Sequence, residues 1–381
     1  MRLLVIGSDR NLFKKDSDIW NRYLDYGKLF EEIHVIVFSH KNLGNKNTKI
    51  ADNVFIYPTN HICKLLYLWS VFGLAKKILV ASGYWLITSQ DPFEAGLAAW
   101  MLKKIYKIPL QIQIHTDFLS PYFWKESLIN KLRVLLAKFL IPRADGIRVV
   151  SERIRASLVA SACLPVGRAN SLAPITVLPI FIDVKAIKNA PISIDLHKKY
   201  SQFDFIILIA SRLTKEKNIG LAIEAMSELV KKYPKLGLVV VGSGPEHKAL
   251  QKLIVKGQSS NVVIEPFVSQ DTLFSYYKTA DLFLLASNYE GYGRTAIEAM
   301  AVGLPVVMTD VGLAGETLVN EENGVVVPVG DREAIVDSIS SLITDKSKKD
   351  KLSTNALKTV EKLITKDQYL ELYKQLAENC L

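Results

Sequence analysis

Short apolar runs alternate with segments of helical length along almost the whole chain, and this alternation limits the possible folds more than any other feature. Amphipathic segments such as residues 94–104 and 124–140, each ahead of a proline, separate several of the runs. Continuous apolar runs divided by helices are typical of buried strands in a parallel sheet. The first half is therefore predicted to be a doubly wound α/β domain. Its runs are LLVIGS, HVIVFS, VFIYPT, WLITSQ, LQIQIH, GIRVVS and ITVLPI.

The same pattern restarts after a polar stretch at residues 189–202, which indicates a second sheet. A chain of 381 residues also fits two domains better than one. We predict an N-terminal domain at 1–183, a C-terminal domain at 184–360 and a final helical segment at 361–381 that packs back on the first domain. The second set of runs is FIILIAS, GLVVVGSG, NVVIEPF, LFLLAS, PVVMTD and GVVVPV, with helices expected at 220–233, 245–257, 270–279 and 295–302 and throughout 332–381.

A formal charge of +10 favours an anionic partner, which leaves a nucleotide sugar, an anionic membrane surface and nucleic acid as candidates. No basic run interleaved with aromatic residues supports nucleic acid. The three cysteines, Cys63, Cys163 and Cys380, form no C-x-x-C pattern and are expected to be reduced thiols. The opening MRLLVIGSD lacks the pattern of an export signal, so a cytoplasmic location is expected.

In α/β sheets of this kind, ligands bind beyond the carboxyl ends of the strands. The segment SNYEGYGRTAIEAMAVG at 287–303 follows one such strand and passes through Gly291 and Gly293 into a helix. Amide groups at that helix start, near Arg294 and Thr295, are predicted to bind a diphosphate, because the helix dipole and the unpaired donors both favour anions. The flanking acids Glu290 and Glu298 are suited to sugar hydroxyls.

Other strand ends carry further candidates for the same ligand. Arg212 and Lys217 follow the strand FIILIAS and are predicted to hold the diphosphate and to neutralise charge on a departing nucleoside diphosphate without a metal. Gly242 and Gly244 of VGSGPE suit close approach of a nucleotide. They also permit a dinucleotide fold with Glu265 on an NAD ribose, although the third glycine is missing.

The first half offers a histidine and an acid at one strand end. His115 closes LQIQIH and Asp117 follows it, so both are expected at the site. The metal-binding pattern D-x-D is imitated by residues 16–18, but this stretch does not close a strand and capping of a helix over 19–30 explains it better. No protein-bound metal is predicted.

Taken together these motifs resemble family 4 of the retaining glycosyltransferases, and the resemblance covers most of the chain. The most specific match is EGYGRTAIEAMAVGLP at 290–305, which is similar to the family's E-x7-E signature. Supporting matches are SRLTKEKN, VGSGPE, TDVGLAGE, NGVVVPVGD and VSERI. The resemblance implies the GT-B fold of two facing Rossmann-like domains with a cleft between them. It also implies a hexosyltransferase that moves a sugar from a UDP- or GDP-sugar to a glycan or lipid-linked acceptor in polysaccharide or glycolipid synthesis.

By this resemblance each candidate receives a role. Glu298 would hold the ribose, Glu290 the transferred sugar, and His115 the donor sugar beside the acceptor, with Asp117 close to an acid that many members carry. The mechanism implied is front-face attack, in which the departing phosphate accepts the acceptor's proton, with no metal and no cofactor. The donor diphosphate would be held by Arg212, Lys217, Gly291, Tyr292, Gly293, Arg294 and Thr295.

The chain departs from the family pattern at three places. GSDRNLFKK replaces a Gly-Gly loop after the first strand, so Gly7, Ser8, Asp9 and Arg10 are expected to act on the acceptor side. Pro266 replaces a glycine before Phe267 and Val268, the expected base contacts. Leu313 replaces a common second glycine.

The segment 124–143 mixes apolar and basic residues, as a helix at a membrane interface does. Burial of its apolar face is the alternative. Attachment to the inner face of an anionic membrane is therefore a hypothesis. The rival functions are a nucleotide-sugar epimerase of the same fold, an NAD-dependent oxidoreductase and a silent binding module.

Overall fold

The computed structural model describes residues 1–63, 66–79, 83–161, 174–257 and 259–381. Two compact units divide the chain: Met1–Pro179 together with Thr365–Leu381, and Ile180–Ile364. We call them the N-terminal and C-terminal domains. The division falls four residues earlier than the one expected from the sequence, and the final helix belongs to the N-terminal domain. Cys163 lies outside the described residues.

The N-terminal domain contains an eight-stranded sheet of order β3-β4-β2-β1-β5-β6-β7-β8. Its neighbouring strands are parallel, except that β3 runs antiparallel to β4. The strands are β1 (Arg2–Gly7), β2 (Glu32–Val37), β3 (Thr48–Ala51), β4 (Val54–Pro58), β5 (Trp85–Ser89), β6 (Leu110–Ile114), β7 (Gly146–Val149) and β8 (Ile175–Val177).

Helices accompany this sheet and follow the predicted alternation. Ser17 caps the first of them by accepting a hydrogen bond from the Trp20 amide at 3.3 Å, which supports the capping interpretation of residues 16–18. The helices are α1 (Asp18–Gly27), α2 (Tyr67–Ile78), α3 (Glu94–Tyr106), α4 (Pro121–Glu126), α5 (Leu128–Leu140), α6 (Glu152–Ala160) and, from the end of the chain, α15 (Lys366–Glu378).

Two local features of this domain differ from the sequence-based expectation. The strand β3 was not predicted, because TKIA is too short and too polar to stand out as a buried run. The single helix expected over 124–140 is two helices. Ser127 adopts an extended conformation between them and caps α5 through its hydroxyl, which ends α4.

The C-terminal domain contains a six-stranded sheet of order β11-β10-β9-β12-β13-β14, in which all neighbours are parallel. Apolar side chains of both sheet and helices form its core, with Ile207, Leu238, Leu282 and Val307 fully buried. The strands are β9 (Phe205–Ala210), β10 (Leu236–Val241), β11 (Val262–Glu265), β12 (Leu282–Leu285), β13 (Val306–Thr309) and β14 (Val325–Val327).

The helices of the C-terminal domain are α7 (Val184–Asn189), α8 (Leu196–Lys199), α9 (Ile219–Lys232), α10 (His247–Lys256), α11 (Gln270–Thr279), α12 (Arg294–Ala301), α13 (Arg332–Thr344) and α14 (Lys346–Val360). The helices expected at 220–233, 245–257, 270–279 and 295–302 are confirmed with ends shifted by at most two residues, whereas the short helices α7 and α8 were not predicted. Both domains are therefore α/β domains with parallel or mostly parallel sheets, as the sequence pattern predicted. A search of the described residues finds no helix long and apolar enough to cross a membrane.

The final helix, α15, packs on the N-terminal sheet through aromatic and polar contacts. Tyr373 stacks on Tyr26 of α1 with ring centroids 4.2 Å apart, and the Tyr26 and Tyr369 hydroxyls are 2.8 Å apart. Beyond the helix, Cys380 packs over Gly146 of β7. A Cβ at Gly146 would lie only 2.3 Å from the Cys380 sulfur, so only glycine fits beneath that side chain.

This contact predicts that Gly146→Ala lowers the melting temperature. Overpacking a core site costs about 1–3 kcal/mol, which corresponds to about 2–10 °C for a domain of this size. Cys380→Ala in the same chain removes the clashing sulfur and should recover most of the loss. Thermal unfolding of wild type, both single variants and the double variant measures this coupling. Additive losses in the double variant would contradict the packing.

Candidate functional site

Two loops of the C-terminal domain, one after β9 and one after β12, are joined by hydrogen bonds. Because β9 and β12 are neighbouring parallel strands, their carboxyl ends lie at the same edge of the sheet. The Asn288 amide donates to the Glu216 carbonyl oxygen at 2.7 Å, and the Asn218 and Asn288 side chains are bonded at 3.1 Å. Thr309, at the end of β13, donates to the Ser287 carbonyl at 2.6 Å.

An ion pair lies where these two loops meet. The Lys217 Nζ is 2.5 Å from the Glu290 Oε1, and the Ser287 hydroxyl donates to the same oxygen at 2.7 Å. Both charged side chains are mostly buried, with 15% and 13% of their surface exposed. The structure therefore brings together the predicted phosphate-binding lysine and the predicted sugar-binding acid.

The second predicted phosphate ligand, Arg212, is placed differently. Its side chain is 75% exposed and pairs with Glu216 at 3.1 Å, within its own loop. Glu216 is in turn the residue whose carbonyl oxygen receives the Asn288 amide. Arg212 thus belongs to the same pair of loops, with a side chain directed into solvent.

The helix that follows Glu290 begins as the sequence predicted. Gly293 has φ of 99°, a left-handed conformation that favours glycine, and as the N-cap residue of α12 it has no side chain to cap the helix. Tyr292 is buried, and burial raises the pKa of its phenol to about 12. The Tyr292 carbonyl oxygen accepts from the Leu313 amide at 2.8 Å, and Leu313 packs against Gly293. Leu313 therefore packs against the loop that contains Tyr292 and Gly293 and stabilises it.

Glu298 of α12 is buried, and each of its carboxylate oxygens accepts a hydrogen bond. Its Oε1 accepts from Arg294 Nε at 2.6 Å, and its Oε2 accepts from the Tyr277 hydroxyl at 3.0 Å. Burial and the adjacent Glu298 carboxylate raise the pKa of Tyr277 well above its ordinary value. The carboxylate of Glu298 thus has a fixed orientation. Tyr277 was missed by sequence analysis because nothing in its helical pattern separates it from a core tyrosine.

Gly242 and Gly244 are explained by backbone packing. A Cβ at Gly242 would lie 1.9 Å from the Ser211 carbonyl oxygen, and one at Gly244 would lie 2.3 Å from that of Leu213. Both glycines therefore seat the loop after β10 against the segment that carries Arg212. Further along the same sheet edge, Phe267 is 78% exposed and Val268 is partly exposed.

Glu265, the residue considered for an NAD ribose, is occupied by protein contacts. It accepts hydrogen bonds from Tyr200, from Tyr276 at 2.7 Å and from Lys199 at 2.7 Å. Although burial opposes ionisation, the donors Lys199, Tyr200 and Tyr276 together lower the pKa of Glu265. This carboxylate anchors α8 to α11 and is a structural residue.

In the N-terminal domain, His115 follows β6 and its Nε2 is 3.2 Å from the Gln113 Oε1. Burial, together with the positive charges of Arg148 and Arg22, lowers the pKa of His115 to about 3. The imidazole is therefore neutral at physiological pH. Burial raises the pKa of nearby Asp117. Sequence analysis missed Gln113 and Arg148. For Gln113 a signal was visible, because LQIQIH carries polar residues at alternate positions of a buried strand.

The loop after β1 takes up a compact turn. Asp9 caps a short 3₁₀ helix at Arg10–Phe13 by accepting from the Asn11 amide at 3.0 Å, and Arg10 donates to the Phe38 carbonyl oxygen at 3.3 Å. Gly7 packs against Gln90, where a Cβ would lie 2.7 Å from that side chain. Ser8 is exposed.

The assignment of Glu265 as an anchor predicts a pH-dependent stability effect. Because its folded pKa is lowered, its carboxylate stabilises the fold above the ordinary carboxyl pKa, and that contribution is lost as pH falls through the folded value. Glu265→Gln should lower the melting temperature at pH 7 by about 2–10 °C, for hydrogen bonds worth about 1–3 kcal/mol. The difference should shrink in acid. The exposed, weakly paired Glu228 is the control, since Glu228→Gln should change little.

Comparison with known proteins gives the same architecture and identifies the family. Residues 195–359 match the profile of the glycosyl transferases group 1, and residues 31–185 match that of glycosyltransferase family 4. The capsular polysaccharide biosynthesis glycosyltransferase CapM of Staphylococcus aureus is 28% identical over 342 residues, which cover 87% of this chain and 85% of CapM.

Solved structures of low sequence identity share the fold over nearly the whole chain. Sucrose-phosphate synthase from Thermosynechococcus elongatus superposes with a TM-score of 0.81 at 20% identity, covering 99% of this chain and 98% of that one. HepE of Anabaena, in complex with UDP-glucose, gives 0.75 at 22% identity, covering 99% and 98%. The chain belongs to the group 1, family 4 glycosyltransferases and is a GT-B enzyme that uses a nucleotide sugar.

Proposed function

We propose that this enzyme transfers a hexose-type sugar from a nucleoside diphosphate sugar to a glycan or lipid-linked acceptor, with retention of configuration and without a metal or resident cofactor. The observation that carries the proposal is the 2.5 Å contact between Lys217 and Glu290 directly before the start of α12. A sugar and its diphosphate are covalently joined, so a ligand for each must lie close to the other. Lys217 and Glu290 meet that requirement.

In the reaction we propose, the acceptor hydroxyl oxygen forms a bond to the anomeric carbon while the bond from that carbon to the phosphate oxygen breaks. The acceptor's proton passes to the departing phosphate. Attack and departure on the same face of the sugar retain its configuration. Lys217, Arg212 and the amides at the start of α12 neutralise the charge of the nucleoside diphosphate.

The remaining site residues are given supporting roles. Glu298 is proposed to bind the ribose, because its carboxylate is buried and held in one orientation by Arg294 and Tyr277. Phe267 and Val268 are proposed base contacts. His115, neutral and beside Gln113, is proposed to contact the donor sugar. Asp117 is proposed to act beside it, and the turn at Gly7, Ser8, Asp9 and Arg10 to receive the acceptor.

A nucleotide-release assay with a panel of UDP- and GDP-sugars tests this proposal. Lys217→Ala and Glu298→Ala should each reduce turnover by at least about 100-fold, the usual cost of removing a group that stabilises charge or position in the transition state. Lys235→Ala is the matched control, because this lysine is 69% exposed and pairs only at the surface with Asp204. It should leave turnover unchanged.

Three outcomes would contradict the proposal. Release of the nucleoside diphosphate with a free epimerised sugar would identify an epimerase. Loss of activity on treatment with EDTA, restored by a divalent cation, would exclude the metal-independent reaction. An inverted anomeric product by NMR would exclude retention.

We further propose that an anionic membrane surface binds the outer face of α5. One face of α5 is buried through Asn130, Val134, Ala137 and Leu140, so the burial expected of an amphipathic helix is already provided. The opposite face is apolar and exposed, an arrangement unusual for a helix bathed in water. Its side chains are Leu128, Ile129, Leu132, Leu135 and Phe139, exposed by 76%, 61%, 66%, 57% and 41%.

Basic residues flank this apolar face. Lys125 and Lys138 are exposed. Together with Trp124, which is 39% exposed, they line a cavity of about 320 Å³ between α4 and α5. Arg133, in contrast, is neutralised by Glu94 at 2.9 Å. Apolar side chains edged by lysines match an anionic lipid surface, where each basic residue adds about 1 kcal/mol.

Sedimentation with vesicles containing anionic lipid tests this surface. Leu132→Ser with Leu135→Ser should weaken binding by at least about 100-fold, since burial of each leucine contributes about 1.5–3 kcal/mol. Val255→Ser is the matched control, because Val255 is 77% exposed on α10. Lys125→Glu with Lys138→Glu should weaken binding mainly at low salt. Binding that survives the double leucine substitution would exclude this face.

A further inference from the structure

A row of buried polar side chains crosses one face of the N-terminal sheet and leads to His115. Gln111 and Gln113 alternate along β6, and His115 continues the alternation. Arg148 of β7 lies in register beside Gln113. Gln113 and Arg148 are only 1% and 3% exposed, so water cannot replace their hydrogen bonds. Such a row is costly in a sheet interior unless its polar groups are hydrogen-bonded, and among the described buried side-chain atoms of this row only the Nε of Arg148 lacks a partner.

Arg148 determines how this row is arranged, because a guanidinium group can only donate. Its Nη1 donates to the Gln113 Oε1 at 3.2 Å. Its Nη2 donates to the Tyr369 hydroxyl at 3.1 Å and to the Leu178 carbonyl oxygen at 3.4 Å. The amide of Gln113 must therefore turn its oxygen, and not its nitrogen, toward Arg148.

The hydrogen bonds of the Gln113 amide nitrogen are consistent with that orientation. Its Nε2 donates to the Thr88 hydroxyl at 3.1 Å and to the Tyr373 hydroxyl at 3.4 Å. The oxygen of the same amide lies 3.2 Å from the His115 Nε2. Because that oxygen only accepts, the Nε2 of His115 must carry its proton. A neutral imidazole with a proton on Nε2 has its lone pair on Nδ1.

We propose that Arg148 and Gln113 are positioning residues that hold His115 as the neutral tautomer with its proton on Nε2, leaving Nδ1 to accept a hydrogen bond from a sugar hydroxyl. In the part of the chain that the structure describes, Nδ1 makes no hydrogen bond. The assignment of the tautomer rests on the N-terminal domain alone. Only its use, acceptance of a substrate hydroxyl, rests on the proposed function.

The competing interpretation is that this polar row serves only to dock α15. Arg148 contacts Tyr369 of that helix and lies 5.3 Å from the centre of the Tyr373 ring. Docking and positioning make different predictions for substitutions at the two ends of the row. Tyr369→Phe disturbs docking and leaves the Arg148 contact to Gln113 in place, whereas Gln113→Leu removes the acceptor that fixes His115.

Nitrogen-15 NMR of the imidazole rings tests the proposal on the full-length protein. The chain has six histidines, so the His115 signals are identified by their loss in His115→Gln. We expect a protonated Nε2 and an unprotonated Nδ1 in wild type and in Tyr369→Phe. Arg148→Met and Gln113→Leu should each give a mixture of tautomers. Arg148→Lys, which still presents only donors to Gln113, should keep the wild-type pattern.

The proposal is contradicted if wild-type His115 carries its proton on Nδ1. It is also contradicted if both Arg148→Met and Gln113→Leu keep the wild-type spectrum. Melting temperatures and circular dichroism accompany each variant. If Arg148→Met does not fold, Gln113→Leu decides the question alone, because leucine is close in size to the glutamine it replaces.

Turnover measurements separate this inference from the proposed function. Arg148→Met should reduce kcat/KM for transfer by about 10- to 100-fold, the range seen when a partner that orients a metal-bound histidine is lost. Its affinity for the nucleoside diphosphate should stay at the wild-type value, since those contacts belong to the other domain. A fixed tautomer with full activity in His115→Ala would refute the role of Nδ1 in transfer and leave the positioning intact.

Discussion

The ion pair between Lys217 and Glu290 is the interaction on which the organisation of the C-terminal site depends. Removing two charges from water is costly, and their mutual attraction repays this only with further hydrogen bonds. Ser287 supplies one, and the bonds of Asn288 to Glu216 and Asn218 fix the two loops that carry the charges. The pair is thus preorganised by backbone contacts at the ends of two adjacent strands. A phosphate and a sugar hydroxyl are the ligands that such a cation and acid complement.

Much of this arrangement could be predicted from sequence because parallel sheets convert linear order into position. Apolar runs mark the strands, and the residues directly after them must lie at one edge. That logic predicted Lys217 and Glu290 at one edge of the C-terminal sheet and Gly293 directly before a helix. It also predicted both sheets, apart from β3, whose four residues make little contact with the core.

The features that sequence analysis did not predict have equally local causes. Residues 124–140 have a continuous amphipathic pattern, but the Ser127 hydroxyl offers the backbone a cap and breaks the helix into α4 and α5. Gly242 and Gly244 also have a packing role that the sequence did not reveal, because backbone atoms of Ser211 and Leu213 occupy the space beside them. Glu265 was considered only for the rival NAD-binding interpretation, and the three donors that surround it could not be foreseen from the sequence. Sequence patterns locate residues along an element but do not reveal which long-range partners they acquire.

The two domains differ in how their predicted site residues carry charge. The C-terminal site concentrates full charges, which suits an anionic leaving group. In the row of polar side chains that leads to His115, Arg148 is the charged member. It is buried beneath α15 and donates its hydrogen bonds to neutral groups. A cationic imidazole carries a proton on both nitrogens, so it could not accept a hydrogen bond. Burial of the ring and the positive charges of Arg148 and Arg22 lower the pKa of His115, so the imidazole stays neutral and one ring nitrogen keeps its lone pair.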